Sequence, residues 1–172
     1  VIDGGACQVG VESTVICFES ANSVRILRPG YITKEDLEQV TETVILDDAI
    51  LHEIQAGQTV RSPGMKYQHY SPQANVILVE GSYTAYCRYI SQHVTPHSYA
   101  LVFDGEEAGL PMPYFTYGKN STEQAKQLFD CLRRCDEEGA VTVYVRAPER
   151  SGIGLAVYNR LIRAAGFEVI QL

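Results

Sequence analysis

Apolar and polar positions alternate in two different ways along this chain, with a stretch of neither between them. Residues 9–18 (VGVESTVICF) are rich in β-branched side chains and read as a strand, and residues 24–27 read as a second. Pro29-Gly30 signals a turn, and Thr33 is placed to cap a short helix over 34–40, with Leu37 and Val40 on one side and acids in the first turn. Residues 44–46 form a further short strand. Two or three strands and one short helix leave their apolar faces uncovered, so residues 1–53 are expected to be the end of a larger domain.

From residue 74 onward, strands and helices take turns. Residues 76–79 read as a strand, and Ser82 caps a helix with the stripe Tyr86, Cys87, Ile90 and Val94. Strands follow at 99–103 and 114–117. Ser121 and Gln124 have the spacing of a capping box, opening a helix with Ala125, Leu128, Phe129, Leu132 and Cys135 on one face. Gly139 ends it. Residues 141–145 are a strand, and Leu155, Tyr158, Leu161, Ile162 and Ala165 line the last helix before Gly166 and a final strand at 168–172. This alternation predicts a small three-layer α/β domain over 74–172 with a mostly parallel sheet.

Residues 54–73 (IQAGQTVRSPGMKYQHYSPQ) lack any period and read as a linker. Composition changes that picture. The chain has 172 residues with 14 Lys+Arg and 21 Asp+Glu, a net charge of −7, yet no acid occurs from 54 to 79. Arg61, Lys66 and His69 lie inside that window beside Met65, Tyr67 and Tyr70. A solvated connection needs no such aromatics, whereas a loop closing over an anion does.

Charge and hydropathy exclude several classes. At 45% hydrophobic and 20% charged residues, the chain has ample apolar surface to bury and is not disordered. The acidic balance argues against a broad, sequence-blind nucleic-acid surface. No apolar run approaches the ~18 residues of a membrane helix, and the N-terminus lacks the pattern of a signal peptide. Five scattered cysteines without a C-x-x-C suggest free thiols in a reducing, cytoplasmic setting. Cys131 and Cys135 are one helical turn apart, but no second pair completes a zinc site, and no metal is expected on this chain.

Three places carry candidate chemistry. Ser13 and Thr14 lie near the start of one strand and Arg28 at the end of the next, so either hydroxyl could come near Arg28 and clamp a phosphate or carboxylate. Ordinary strand hydroxyls and a surface charge explain the same residues. The segment 62–72 is the second place. Ser151-Gly152-Ile153-Gly154 is the third, as amides offered to a phosphate or simply as a tight strand-to-helix turn. No nucleophile–base pair is evident, which favours positioning and charge stabilisation over covalent attack.

The stretches IDGGACQVGVESTV, ILRPGYITKEDL, SPGMKYQHYSP and GIGLAVYNRLIRAA occur in that order. Together they resemble the two-domain threonylcarbamoyl-AMP synthases, the YrdC-related enzymes of transfer-RNA modification. The resemblance spans nearly the whole chain and is most specific in 62–72. It implies a division into the end of a YrdC-like catalytic domain (1–53), an interdomain gating linker (54–73) and a Rossmann-like α/β domain (74–172). It implies synthesis of threonylcarbamoyl-AMP and pyrophosphate from ATP, L-threonine and bicarbonate, with Mg²⁺ accompanying the nucleotide and a downstream complex transferring the product group to transfer RNA. It further implies that Ser13 and Thr14 contact threonine or nucleotide, that Arg28 contacts the ATP phosphates, and that Lys66, Tyr67, His69 and Tyr70 form the gate. The family's Lys-x-Arg and Ser-x-Asn motifs are absent, so the chain is expected to be a C-terminal part that is inactive alone. A stand-alone α/β binding module without catalysis is the competing expectation. A carbamoyl-transfer maturation factor is a third, weakened by the linker and the C-terminal domain.

Overall fold

A computed structural model describes Gly5, residues 7–53, Ser62 and residues 72–172. The first sheet has three strands in the order β1 (Val15–Ser20), β2 (Ser23–Arg28) and β3 (Thr43–Leu46), with β1 antiparallel and β3 parallel to β2. Between β2 and β3 lies α1 (Lys34–Leu37), shorter than its apolar pattern suggests. Thr33 caps it as expected: its hydroxyl accepts from the Asp36 N–H, and the Asp36 carboxylate accepts from the Thr33 N–H. A single 3-10 turn, Asp48–Ile50, follows β3.

The second sheet is fully parallel. Its strands are β4 (Asn75–Glu80), β5 (Ser98–Val102), β6 (Tyr114–Thr116), β7 (Thr142–Arg146) and β8 (Val169–Gln171), in the spatial order β6-β5-β7-β4-β8. Helix α2 (Tyr83–Ser91) packs on one face, while α3 (Ser121–Glu137) and α4 (Gly152–Ala164) pack on the other. The central strands are therefore apolar on both sides. In β4, Val76 and Leu78 join the α3/α4 layer, while Ile77 and Val79 join the α2 layer. This is the three-layer α/β domain expected from residue 74 onward.

Several local expectations need correction. Val94 is not on the α2 stripe, because the helix ends at Ser91 and Val94 is exposed. The cap of α3 is Asn120 rather than Ser121: its side chain accepts from the Glu123 N–H, and the Glu123 carboxylate accepts from the Lys119 N–H. The strand expected over 9–18 begins only at Val15.

That last difference has a packing cause. Gly10 sits at φ +81°, and a Cβ there would lie 2.2 Å from the Ala125 carbonyl oxygen and 2.4 Å from the Lys126 Cα, both on α3. Val11 is buried in the core shared by α3 and α4. On the opposite side, a Cβ on Gly30 would lie 2.4 Å from both the Glu12 carbonyl oxygen and the Thr14 nitrogen. Segment 9–14 is thus wedged between the helices of one sheet and the β2–α1 turn of the other, and cannot extend β1.

The three-stranded sheet has no closed core of its own. Ile26 of β2 and Ile50 of the 3-10 turn bury against Leu155 of α4, with Ile16, Leu37, Val44 and Leu46 around them. The uncovered faces anticipated for 1–53 are in part covered by the second unit.

Two outcomes check this packing. Gly10 and Gly109 share nearly the same φ, +81° and +82°, but nothing lies within 4 Å of a Cβ on Gly109. Urea unfolding should show Gly109→Ala losing about 1 kcal/mol from backbone strain, and Gly10→Ala losing about 2 kcal/mol more because α3 must move; equal losses would refute the wedge. The thiols give the second check. Cys7 is exposed, and the N–H groups of Gly10 and Val9 hold its pKa below the usual thiol value, whereas burial pushes Cys131 to about 11 and Cys135 to about 12. Iodoacetamide near neutral pH should modify Cys7 in the native protein and spare Cys131 and Cys135, as read by peptide mass mapping.

Candidate functional site

The antiparallel pairing of β1 with β2 sets Val15 opposite Arg28 and so brings Ser13 beneath the arginine. Arg28 donates through Nε to the Ser13 carbonyl oxygen at 3.0 Å and through Nη2 to Ser13 Oγ at 3.2 Å. The two hydroxyls left open by the sequence have different places. Thr14 Oγ1 donates to the Ile32 carbonyl oxygen at 2.6 Å and ties the loop to the β2–α1 turn, while Ser13 is exposed beside the guanidinium. The arrangement offers an exposed hydroxyl and a half-buried cation side by side, the pieces of an anion clamp.

Glu12, the residue before this pair, reaches the other way. Its Oε2 lies 2.6 Å from Arg160 Nε in an ion pair whose arginine side chain is only 6% exposed. Arg160 belongs to a polar run on α4 that faces the first unit. Asn159 Nδ2 donates to the Ile50 carbonyl oxygen and Arg163 Nη2 to the Ala49 carbonyl oxygen, each at 2.6 Å. Burial, with a smaller contribution from the neighbouring Arg160 charge, lowers the Arg163 pKa to about 10. Periodicity alone did not single out Glu12, Asn159, Arg160 or Arg163. A signal was nonetheless present, since an apolar helix interrupted by Asn-Arg at its centre is a helix buried on two sides.

The third candidate place reads as a turn. The Gly152 N–H donates to Glu35 Oε1 at 3.4 Å, and a Cβ on Gly154 would meet the Glu149 carbonyl oxygen at 2.4 Å. The tips of the parallel strands, where open α/β sheets take ligands, are closed by the chain's own charges. Arg146 forks onto Glu106 at 3.0 and 3.1 Å and donates to the Gly81 carbonyl oxygen at 2.6 Å. Glu80 accepts from Tyr158 at 2.6 Å and pairs with Arg150. The gate residues Lys66, Tyr67, His69 and Tyr70 lie outside the described residues, as does most of 54–73. Among the described residues, no three His, Cys, Asp or Glu side chains converge on a metal site. No helix among them is long and apolar enough to cross a membrane.

Comparison with known proteins places this geometry. Residues 32–166 match the family described as threonylcarbamoyl-AMP synthase, C-terminal domain. The chain is 34% identical to the threonylcarbamoyl-AMP synthase of Pyrococcus abyssi over 100% of its own length and 51% of the relative's. It is 34% identical to that of Bacillus subtilis over 99% of its length and 50% of the relative's. It therefore spans about half the length of the curated relatives it matches. Among solved structures, a doubly substituted P. abyssi Sua5 superposes with a TM-score of 0.85 at 32% identity, covering 99% of this chain and 49% of that one. P. abyssi Sua5 complexed with L-threonine superposes with a TM-score of 0.80 at 30% identity, covering 99% of this chain and 50% of that one. With 135 of its 172 residues inside the family's span (166 − 32 + 1), the chain belongs to the threonylcarbamoyl-AMP synthase C-terminal-domain family.

Proposed function

We propose that this chain is part of an enzyme that joins L-threonine, bicarbonate and ATP into threonylcarbamoyl-AMP and pyrophosphate, for transfer by a downstream complex to transfer RNA. The observation that carries this reading is the match over essentially the whole chain to threonylcarbamoyl-AMP synthases. The threonine complex of a structural relative supports the amino-acid substrate. The chain's acidic balance and five free thiols suit a reducing compartment and an enzyme that hands its product on rather than gripping RNA broadly.

The chemistry asks for charge control rather than a nucleophilic side chain. The threonine amine and bicarbonate condense to a carbamate with loss of water. A carbamate oxygen then bonds to the α-phosphorus of ATP as the bond to the pyrophosphate oxygen breaks. Two anions must approach each other, so a fixed cation at the phosphates lowers the barrier. The bonds from Arg28 to Ser13, which fix the guanidinium beside an exposed hydroxyl, support Arg28 in that role and Ser13 as a contact to threonine or nucleotide. Thr14 acts on the same substrates through the shape of the loop that its hydroxyl anchors. Lys66, Tyr67, His69 and Tyr70 are assigned to a closing gate by the resemblance of their segment alone.

Pyrophosphate release by the full-length protein should require ATP, bicarbonate and L-threonine together, and the 172-residue chain alone should release none. Arg28→Ala in the full-length protein should weaken ATP binding by roughly tenfold or more, since a charge-assisted contact contributes about 1.5–3 kcal/mol. Threonine-independent release, or full ATP affinity in the variant, would overturn the assignment.

A further inference from the structure

The Ser13–Thr14 loop is held by more than its own sheet. The three residues leading into it are held from the second unit: Gly10 lies against the α3 backbone, Val11 is buried in the α3/α4 core, and Glu12 pairs with Arg160 of α4. Next comes Ser13 under Arg28, and then Thr14 tied to Ile32. The pair is asymmetric in its surroundings. Arg160 has 6% side-chain exposure and Glu12 30%, so the guanidinium is the more desolvated member of the pair. A second cation, Arg163, lies one turn further along α4 and is already destabilised by burial and by Arg160. The carboxylate of Glu12 is thus drawn to one fixed point on α4, one residue before the exposed hydroxyl.

We propose that Arg160 is a positioning residue for the Ser13–Thr14 loop: through its ion pair with Glu12, α4 of the C-terminal unit sets the affinity of the substrate site on the neighbouring unit. This rests on the functional reading above. Arg160 touches no substrate. It acts by holding the Glu12 backbone, and with it the Ser13 carbonyl and hydroxyl that orient Arg28. The C-terminal unit then has a part in binding that its closed strand tips do not provide, and it exerts that part through the helix face carrying Asn159, Arg160 and Arg163.

The test uses the full-length enzyme and two readouts. Hydrogen–deuterium exchange at the amides of Ser13 and Thr14 reads the clamp without reference to activity. In Arg160→Gln it should rise tenfold or more, with β4 unchanged; unchanged exchange at the loop overturns the proposal. The second readout is steady-state pyrophosphate release with ATP and L-threonine varied in turn. Arg160→Gln should raise the KM of at least one substrate fivefold or more, with kcat per folded enzyme within threefold of wild type. Arg160→Lys, which keeps the charge, should recover part of the loss. Glu12→Leu/Arg160→Met replaces the pair with apolar side chains, which restores stability where a lone buried charge would not; its KM should stay raised although it folds. Ile50→Val loosens the same interface away from Glu12 and should leave both KM values unchanged. KM rises below fivefold for both substrates in Arg160→Gln and the double variant, or an equal rise in Ile50→Val, overturns the proposal. If the wild-type protein releases no pyrophosphate, the functional reading is what fails, and the exchange result still decides whether Arg160 fixes the loop.

Discussion

A guanidinium that is 94% removed from solvent needs a carboxylate, and the position of that carboxylate decides where the rest of the first unit can lie. Arg160 is fixed in the middle of α4 by the helix on either side of it, so Glu12 has little choice of place. Losing one partner of a buried pair costs about 3–5 kcal/mol, comparable with truncating a fully buried aliphatic side chain. The other docking contacts follow the same line. Asn159 and Arg163 hold carbonyls of the 3-10 turn, and Gly10 lets the chain pass α3 at backbone distance.

The chemistry of the two units is correspondingly divided. The candidate substrate residues Ser13 and Thr14 lie in the segment just before β1, and Arg28 ends β2 of the small sheet, whereas among the described residues no corresponding exposed cluster stands at the tips of the large one. There, Arg146 and Arg150 are turned to Glu106 and Glu80. A competing view of the chain as a self-sufficient binding module would look for a ligand at those tips, where parallel sheets usually provide one. The charges that would attract an anion there are already neutralised within the chain.

Much of the fold was legible in the sequence because the second unit follows simple periods. The five parallel strands were all located, and α3 and α4 bury the stripes that 3.6-residue spacing picked out, Leu128, Leu132, Leu155 and Leu161 among them. Misreadings arose where long-range packing overrides local preference. Residues 9–14 carry strand composition, but Gly10 against α3 bends them away. Asn120 and Ser121 are both good caps, and only the position of Glu123 chooses between them. At the site, β-hairpin geometry made the approach of Ser13 to Arg28 foreseeable. The partner of Arg160 was not, because an ion pair between residues so far apart in the chain leaves no local pattern.

Leu155 has a consequence for how the boundary between the units is understood. It sits on a helix of the large unit, yet it completes the apolar cluster of the small sheet with Ile26 and Ile50. The division at residues 54–73 is therefore a division of sequence and not of free energy. Helix α4 serves as a floor for one sheet and a roof for the other, so neither can lose it and keep a closed core. A substitution that shrinks Leu155 therefore opens the apolar cluster of the small sheet, although the residue is carried by a helix of the large unit.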